Sequence, residues 1–263
     1  MPTLIHLSDL HFGPSYVPHL GELVLEEIKT LDPDVVVISG DLTLHARDKE
    51  FVAARSFLDR IPKPFLTIPG NHDQTIFNPL ERLVAPLARY QRHIRRPHDV
   101  SLEANGFFIV GLNDNRPILP GGFWSRAQRG WLQREFARAP RGAVRVIATH
   151  HQLMWEGKFK PAGFWYPSRA FEMLAKCGVE LVLNGHTHIP NAEQPREGIV
   201  VSRASTATCT RTRHGEGNSY NLIAFDKEKI SVTIRRYDER ADKFIAVQTF
   251  TFKRPLRFLE PVS

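Results

Sequence analysis

Five short polar motifs in this sequence each stand at the end of an apolar run of strand length. Asp9-Leu10-His11 follows residues 4–8, Gly40-Asp41 follows 35–39, and Gly70-Asn71-His72-Asp73 follows 65–68. His150-His151 follows 144–149, and Gly185-His186-Thr187-His188 follows 179–184. The run at 34–39 is continuously β-branched, as expected of a strand buried on both faces. In open α/β sheets, ligands gather at the carboxyl ends of the strands. Five such ends would carry Asp, His, Asp, Asn, His and a His pair to one point. This placement constrains the chain more than any single motif does.

Between the strands the apolar spacing turns helical. Residues 18–31, 48–61, 79–92, 125–139 and 168–177 are expected as helices. Pro62 stops the second, Pro86 can kink the third, Ser125 is placed to N-cap the fourth, and Gly178 to close the fifth. A further strand is expected at 107–112. From 199 onward the runs 199–203, 220–225, 230–237 and 244–252 alternate without helices, which points to an antiparallel sheet or hairpins. The class is therefore α/β (α+β), with a β-rich C-terminal part. No repeat and no long linker divides the chain, so 1–263 reads as a single domain.

Composition excludes several classes. With two cysteines, Cys177 and Cys209, far apart and outside any C-x-x-C spacing, no disulfide framework is suggested, and each thiol reads as a small buried hydrophobe. Residues 1–9 run straight into a strand and a motif, with no removable apolar leader. No apolar run approaches the ~20 residues that span a bilayer. A cytoplasmic location is the expectation. A net charge of +7 favours an anionic substrate or surface, without by itself indicating nucleic acid.

The residue types suit metal. Asp and Asn offer oxygen and His offers nitrogen, a set that fits Mn, Fe or Zn better than a thiolate metal. The i, i+2 spacing of Asp9/His11 and His186/His188 puts each pair on one face of an extended segment. Glycines before Asp41, Asn71 and His186 permit sharp turns out of a strand.

These five motifs, in this order and each after a strand, resemble the calcineurin-like metallophosphoesterase family, and within it the bacterial class III cyclic nucleotide phosphodiesterases. The resemblance covers residues 9–188. It implies a four-layer α/β/β/α sandwich and a dinuclear metal centre. It implies one divalent ion on Asp9, His11 and His188, a second on Asn71, His150 and His186, and Asp41 bridging both. It also implies that His72 lies outside the cage, as the group that stabilises the transition state or protonates the leaving oxygen. The implied reaction is hydrolysis of a phosphodiester, with a 3′,5′-cyclic nucleotide as the first expectation. A glycerophosphodiester, a lipid-linked diphosphate or an aryl phosphodiester is the alternative. A nuclease would bring salt-sensitive DNA affinity, and no obligatory nucleic acid is expected. A scaffold that lost its metals would show broken ligand positions, and here all seven are intact.

Other residues are weighed individually. His6, His19, His93 and His98 read as structural or surface groups, and Asp73 as a loop cap. His151 alternates away from His150 and could touch substrate or brace the site. His45 and Arg47 could reach a phosphate or base from the rim, or form a solvated helix entry. Arg92, Arg95 and Arg96 form a basic run that reads as a solvated face. Arg211, with Arg213 and His214, could hold an anionic group. The aromatic stretch 155–166 reads as a lid, a substrate wall or a packed contact. The basic, apolar tail at 252–258 leaves peripheral membrane contact open, and a homodimer is likewise open.

Overall fold

The apolar runs fold into two six-stranded mixed sheets that pack face to face, with helices on both outer sides. The computed structural model describes residues 1–153, 163–196 and 198–254. In the first sheet the central strands β1 (Thr3–Leu7), β2 (Val35–Ile38) and β3 (Phe65–Thr67) are parallel. The C-terminal strands extend it in the order β12-β11-β10-β1-β2-β3, every added pairing being antiparallel. These are β10 (Ser219–Phe225), β11 (Lys229–Asp238) and β12 (Lys243–Lys253).

The second sheet runs β4-β5-β6-β7-β9-β8. Its parallel centre is β5 (Phe107–Gly111), β6 (Val144–Ala148), β7 (Leu181–Asn184) and β9 (Ile199–Arg203). Antiparallel edges β4 (Val100–Ala104) and β8 (Asn191–Arg196) close it.

The two-residue period of a strand divides its side chains between layers. Val35 and Val37 face the second sheet, in one core with Ile109, Val146 and Leu183. Val36 and Ile38 face outward onto α1 (Pro18–Leu31) and α2 (Asp48–Leu58). Ile147 and Val182 face α5 (Arg126–Ala137) and α6 (Pro167–Lys176) on the far side. Helix, sheet, sheet, helix is the four-layer order expected. His6 sits wholly buried between the sheets, with Nε2 2.9 Å from Ser39 Oγ and Nδ1 3.4 Å from Ser202 Oγ.

Three expectations need correction. The helix expected over 79–92 is two short ones, α3 (Pro79–Val84) and α4 (Ala88–His93). Pro86 lacks the N–H a continuous helix needs and disfavours helical geometry at Ala85. The run at 199–203 does not join the C-terminal antiparallel strands; it pairs parallel to β7. The edge strands β4 and β8 were not foreseen. Edge strands pair on one side only and tolerate polar residues and proline, as in β8 with Gln194-Pro195. Ser125 does cap α5, accepting from the Gln128 amide at 3.2 Å. Both cysteines are buried free thiols.

Candidate metal centre

Because β1, β2, β3 and β5, β6, β7 run parallel within their sheets, their carboxyl ends emerge along one edge. Backbone bonds then stitch neighbouring loops together. The Asp9 amide donates to Gly40 O at 3.0 Å, the His11 amide to Asp41 O at 3.0 Å, and the Gly185 amide to His150 O at 3.1 Å. Two groups of donors result, each with atoms within 4.8 Å of one another: Asp9, His11 and His188, and Asp41, His150 and His186. Asp41 Oδ2 lies 3.8 Å from His11 Nε2 and 3.4 Å from His150 Nε2, so it stands between the two groups. Asn71 Oδ1 completes the second, 3.0 Å from His150 Nε2 and 2.9 Å from His186 Nδ1.

Backbone carbonyls fix the rings. Nδ1 of His11 donates to Thr43 O (3.3 Å), Nδ1 of His150 to Ser39 O (2.8 Å), and Nδ1 of His188 to Arg211 O (2.5 Å). A carbonyl only accepts, so each Nδ1 carries the hydrogen and each Nε2 turns its lone pair inward. The consequence is acceptor facing acceptor. His11 Nε2 and His188 Nε2 are 3.1 Å apart, and His150 Nε2 faces the Asn71 oxygen. Asp9 Oδ1 is buried with no hydrogen-bond donor. A cation, or a proton in its place, is what such a set requires, so these residues fit a metal centre. Closeness is enforced by glycine. A Cβ on Gly185 would stand 2.4 Å from Asp9 Oδ2, and one on Gly70 would stand 2.1 Å from Asp41 Oδ1.

The electrostatics agree. Burial pushes His11 down to about 4 and His186 down to about 3, keeping both imidazoles neutral, the form that ligates metal. Burial also opposes charge on His150, but the Asp41 carboxylate outweighs it and holds that pKa up at about 10, so there a proton on Nε2 takes the place that a cation would fill. Burial works against ionisation of Asp9 and Asp41 as well. The facing histidines nevertheless hold both well below the usual carboxylate range.

Residues 2–190 match the family model of the calcineurin-like phosphoesterases. The chain belongs to that family. Among relatives, it is 28% identical over 265 residues to the DNA double-strand break repair protein Mre11 of Haloferax volcanii, covering 94% of this chain. The chain spans only 55% of that protein's length. It is 25% identical over 258 residues to a probable cyclic nucleotide phosphodiesterase of Psychrobacter arcticus, covering 86% of this chain and 85% of the other. A crystal structure of a dimetal phosphatase from Danio rerio shares the fold, with a TM-score of 0.67 at 14% identity, covering 97% of this chain and 99% of that one.

For this calcineurin-like phosphoesterase, the remaining sequence candidates divide. His72 lies beside the centre. Its amide donates to Asp41 Oδ1 (2.8 Å), its Nδ1 donates to Leu44 O (2.8 Å), and its ring meets His11 edge-on at 4.9 Å. Arg211 joins it, with Nη1 3.3 Å from His72 Nε2. His151 is buried, its ring 4.6 Å from that of His186. His45 and Arg47 are held elsewhere. Glu50 accepts from both backbone amides, and Arg47 lies exposed over Phe77 at 4.9 Å. Among the described residues, no hydrogen bond, ion pair or ring contact joins either side chain to a cage residue. Asp73 is the loop cap expected. Its carboxylate accepts from the amides of Leu42 (3.0 Å), Thr43 (2.8 Å) and Gly70 (2.9 Å), tying the Asp41 loop to the Asn71 loop. His93 and Arg92 meet Asp48 on the surface. Of the aromatic stretch 155–166, residues 155–162 lie outside the described residues, as do 255–258 of the basic tail.

One site residue was missed. Asp114 follows β5, a sixth strand end at the same edge. Its Oδ2 accepts from Thr149 Oγ1 (2.7 Å) and the His151 amide (2.9 Å), and lies 3.3 Å from His151 Nδ1. The signal was present as Asn113-Asp114-Asn115 directly after an apolar run. A groove of about 240 Å³ opens here, lined by Asn71, His151 and His186 on one side and by Arg82, Arg116, Ile118 and Leu119 on the other.

Proposed function

We propose that this chain hydrolyses phosphodiester bonds at a centre of two divalent cations. The observation that carries the reading is the pair of buried donor groups that share Asp41, with lone pairs turned on one another. In this reading Asp9, His11 and His188 hold one ion, Asn71, His150 and His186 hold the other, and Asp41 serves both. The donor set suits Mn, Fe or Zn. Such a pair of cations, when bound, supplies Lewis acidity that activates a water and neutralises charge on phosphoryl oxygens.

The chain's own residues do the rest. The Leu44 carbonyl holds the His72 ring through Nδ1–H and leaves Nε2 toward the centre; with the ring in its imidazolium form, Nε2 gives its proton to the leaving oxygen and Nδ1 keeps its own. Arg211 stands at that same atom and is placed to hold the anionic phosphate. His151, braced by Asp114, orients substrate from the groove floor. Residues 1–263 act as one domain, and the free buried thiols accord with a cytoplasmic site of action.

The relatives named as probable cyclic nucleotide phosphodiesterases support a 3′,5′-cyclic nucleotide as substrate. A second reading, a glycerophosphodiester or lipid-linked diphosphate, is favoured by Ile118 and Leu119 beside Arg82 and Arg116 on the groove wall. The test is a substrate panel after reconstitution with Mn or Zn. It includes cyclic AMP, a glycerophosphodiester, a lipid diphosphate, bis(p-nitrophenyl) phosphate and DNA. Failure to bind metal and to cleave any member would sink the proposal.

A further inference from the structure

Large apolar side chains are exposed on this protein in a narrow region. Among the described residues they are Met1, Val52, Val247 and nine others, and those nine fall in three segments. The segments hold Ile76, Phe77, Leu80, Leu83 and Val84; Ile118 and Leu119; and Trp165 and Tyr166. Exposure reaches 70% at Val84 and 72% at Ile118. Hydrogen bonds fasten the segments to one another. Arg82 Nε donates to Pro117 O at 2.6 Å, and Trp165 Nε1 donates to Pro120 O at 2.8 Å. Arg82, Ile118 and Leu119 line the groove that holds Asn71, His151 and His186, and the bonds to Pro117 and Pro120 attach the other two segments to that wall, so we call the three the lip of the groove. Helix α3, within this lip, buries none of its residues. A helix that buries nothing while exposing Leu80, Leu83 and Val84 serves no core, and an apolar patch of this kind marks an interaction site.

The charge on the lip is one-sided. Segments 76–84, 116–123 and 163–169 contain a single carboxylate, Glu81, and it is paired with Arg89 at 2.9 Å. Arg82, Arg116 and Arg169 in the same segments form no ion pair among the described residues; Arg82 and Arg116 are half-buried and donate to Pro117 O and Phe123 O, while Arg169 is exposed and stacks over Tyr166 at 5.8 Å.

We propose that this lip docks on an anionic lipid bilayer. Aliphatic side chains enter the acyl boundary, Trp165 and Tyr166 sit at headgroup depth, the exposed Arg169 meets lipid phosphates, and Arg82 and Arg116, whose charge no carboxylate neutralises, add to the positive field of the lip. Nucleic acid accounts for the arginines and leaves the exposed leucines, valine and isoleucine unexplained, since a phosphate backbone offers them nothing. A second copy joined through a twofold axis would set unpaired arginines against arginines. The docking stands whether or not the reaction proposed above is right. That a docked mouth receives lipid-borne phosphoesters does rest on that reaction.

The experiment is co-sedimentation of the full chain with phosphatidylcholine vesicles, with and without phosphatidylglycerol. The wild type should pellet with the anionic vesicles and be released by salt. The triple variant Leu80→Glu, Leu83→Glu, Val84→Glu should lose at least about tenfold in apparent affinity. Its hydrolysis of soluble bis(p-nitrophenyl) phosphate and its thermal unfolding should match the wild type, because α3 buries nothing. A wild type that stays in the supernatant overturns the proposal. So does a triple variant that still pellets, or a wild-type dimer that the variant abolishes. Release of the wild type from vesicles by duplex DNA at equal ionic strength would also overturn it. Vesicle binding without any phosphodiester cleavage would refute the proposed reaction and leave the docking intact.

Discussion

Asp114→Asn isolates the charge of one buried carboxylate. Asp114 is wholly inaccessible, and Oδ2 gathers the Thr149 hydroxyl, the His151 amide and the His151 ring. Burial alone would raise its pKa. The His151 charge and hydrogen bond, with the Thr149 hydroxyl, outweigh burial and hold it at about 2, well below the ordinary carboxylate value. Asparagine keeps the shape and an accepting oxygen, so it removes charge without opening a cavity. A folded pKa below the unfolded one stabilises the fold above the unfolded value, and that stability is lost as pH falls toward the folded value. A lowering of that size is worth about 2–3 kcal/mol. Urea unfolding of EDTA-treated protein should therefore show Asp114→Asn less stable by about 2–3 kcal/mol at pH 5 to 7. The gap should shrink to about half by pH 3 and close near pH 2. A gap that stays constant from pH 7 to pH 3 would refute the reasoning, because the loss would then come from packing rather than charge.

Three further outcomes follow from the centre. Asp41→Asn should lower both bound metal and rate, read by elemental analysis beside turnover; full occupancy with a normal rate would deny Asp41 its shared position. His72→Ala should cut kcat by about 10²–10⁴ while two ions stay bound; an emptied site would mean that His72 is a ligand. Gly185→Ala puts a Cβ 1.9 Å from Ser8 Oγ and 2.4 Å from Asp9 Oδ2, so the Asp9 group should lose its ion. Unchanged metal content in Gly185→Ala would show that the loop yields without disturbing Asp9.

Much of this site was legible because strands and loops obey different rules. A parallel strand must be apolar on both faces, so a polar cluster right after one stands out as a position the fold does not require for burial. Asp9, Asp41, Asn71, His150 and His186 all carry that mark. Asp114 carries it too, but Asn113-Asp114-Asn115 reads equally well as turn chemistry, and only the register of β5 beside β6 reveals which strand end it occupies. The location of His45 and Arg47 was legible only as a choice between rim and helix entry. Both follow Gly40-Asp41 closely, and Glu50, five and three residues onward, ties their amides to the start of α2. Sheet membership of 199–203 was hidden for a related reason. Its side chains favour a strand, and nothing local says that β7 rather than β10 will be its neighbour. The apolar lip was invisible as well. Leu80, Leu83 and Val84 have the helical spacing of a buried stripe, and only the path of the chain after Pro86 leaves them outside.

The backbone at the cage carries a cost that the sequence does not advertise. Ten non-glycine residues among those described have positive φ, and five of them are Asp9, His11, Asp41, His186 and His188, with φ between 51° and 71°. A left-handed conformation disfavours a residue with a Cβ, by about 1–3 kcal/mol at such sites. Five of the seven cage residues therefore hold a conformation that the local sequence opposes. The strain persists because the loops are over-determined from outside. The amides of Asp9, His11 and Gly185 bond to neighbouring strand ends, Asp73 ties two loops, and both sheets anchor the strands that lead in. The inward turn of the donors therefore rests on strand ends and loops that both sheets fix from outside.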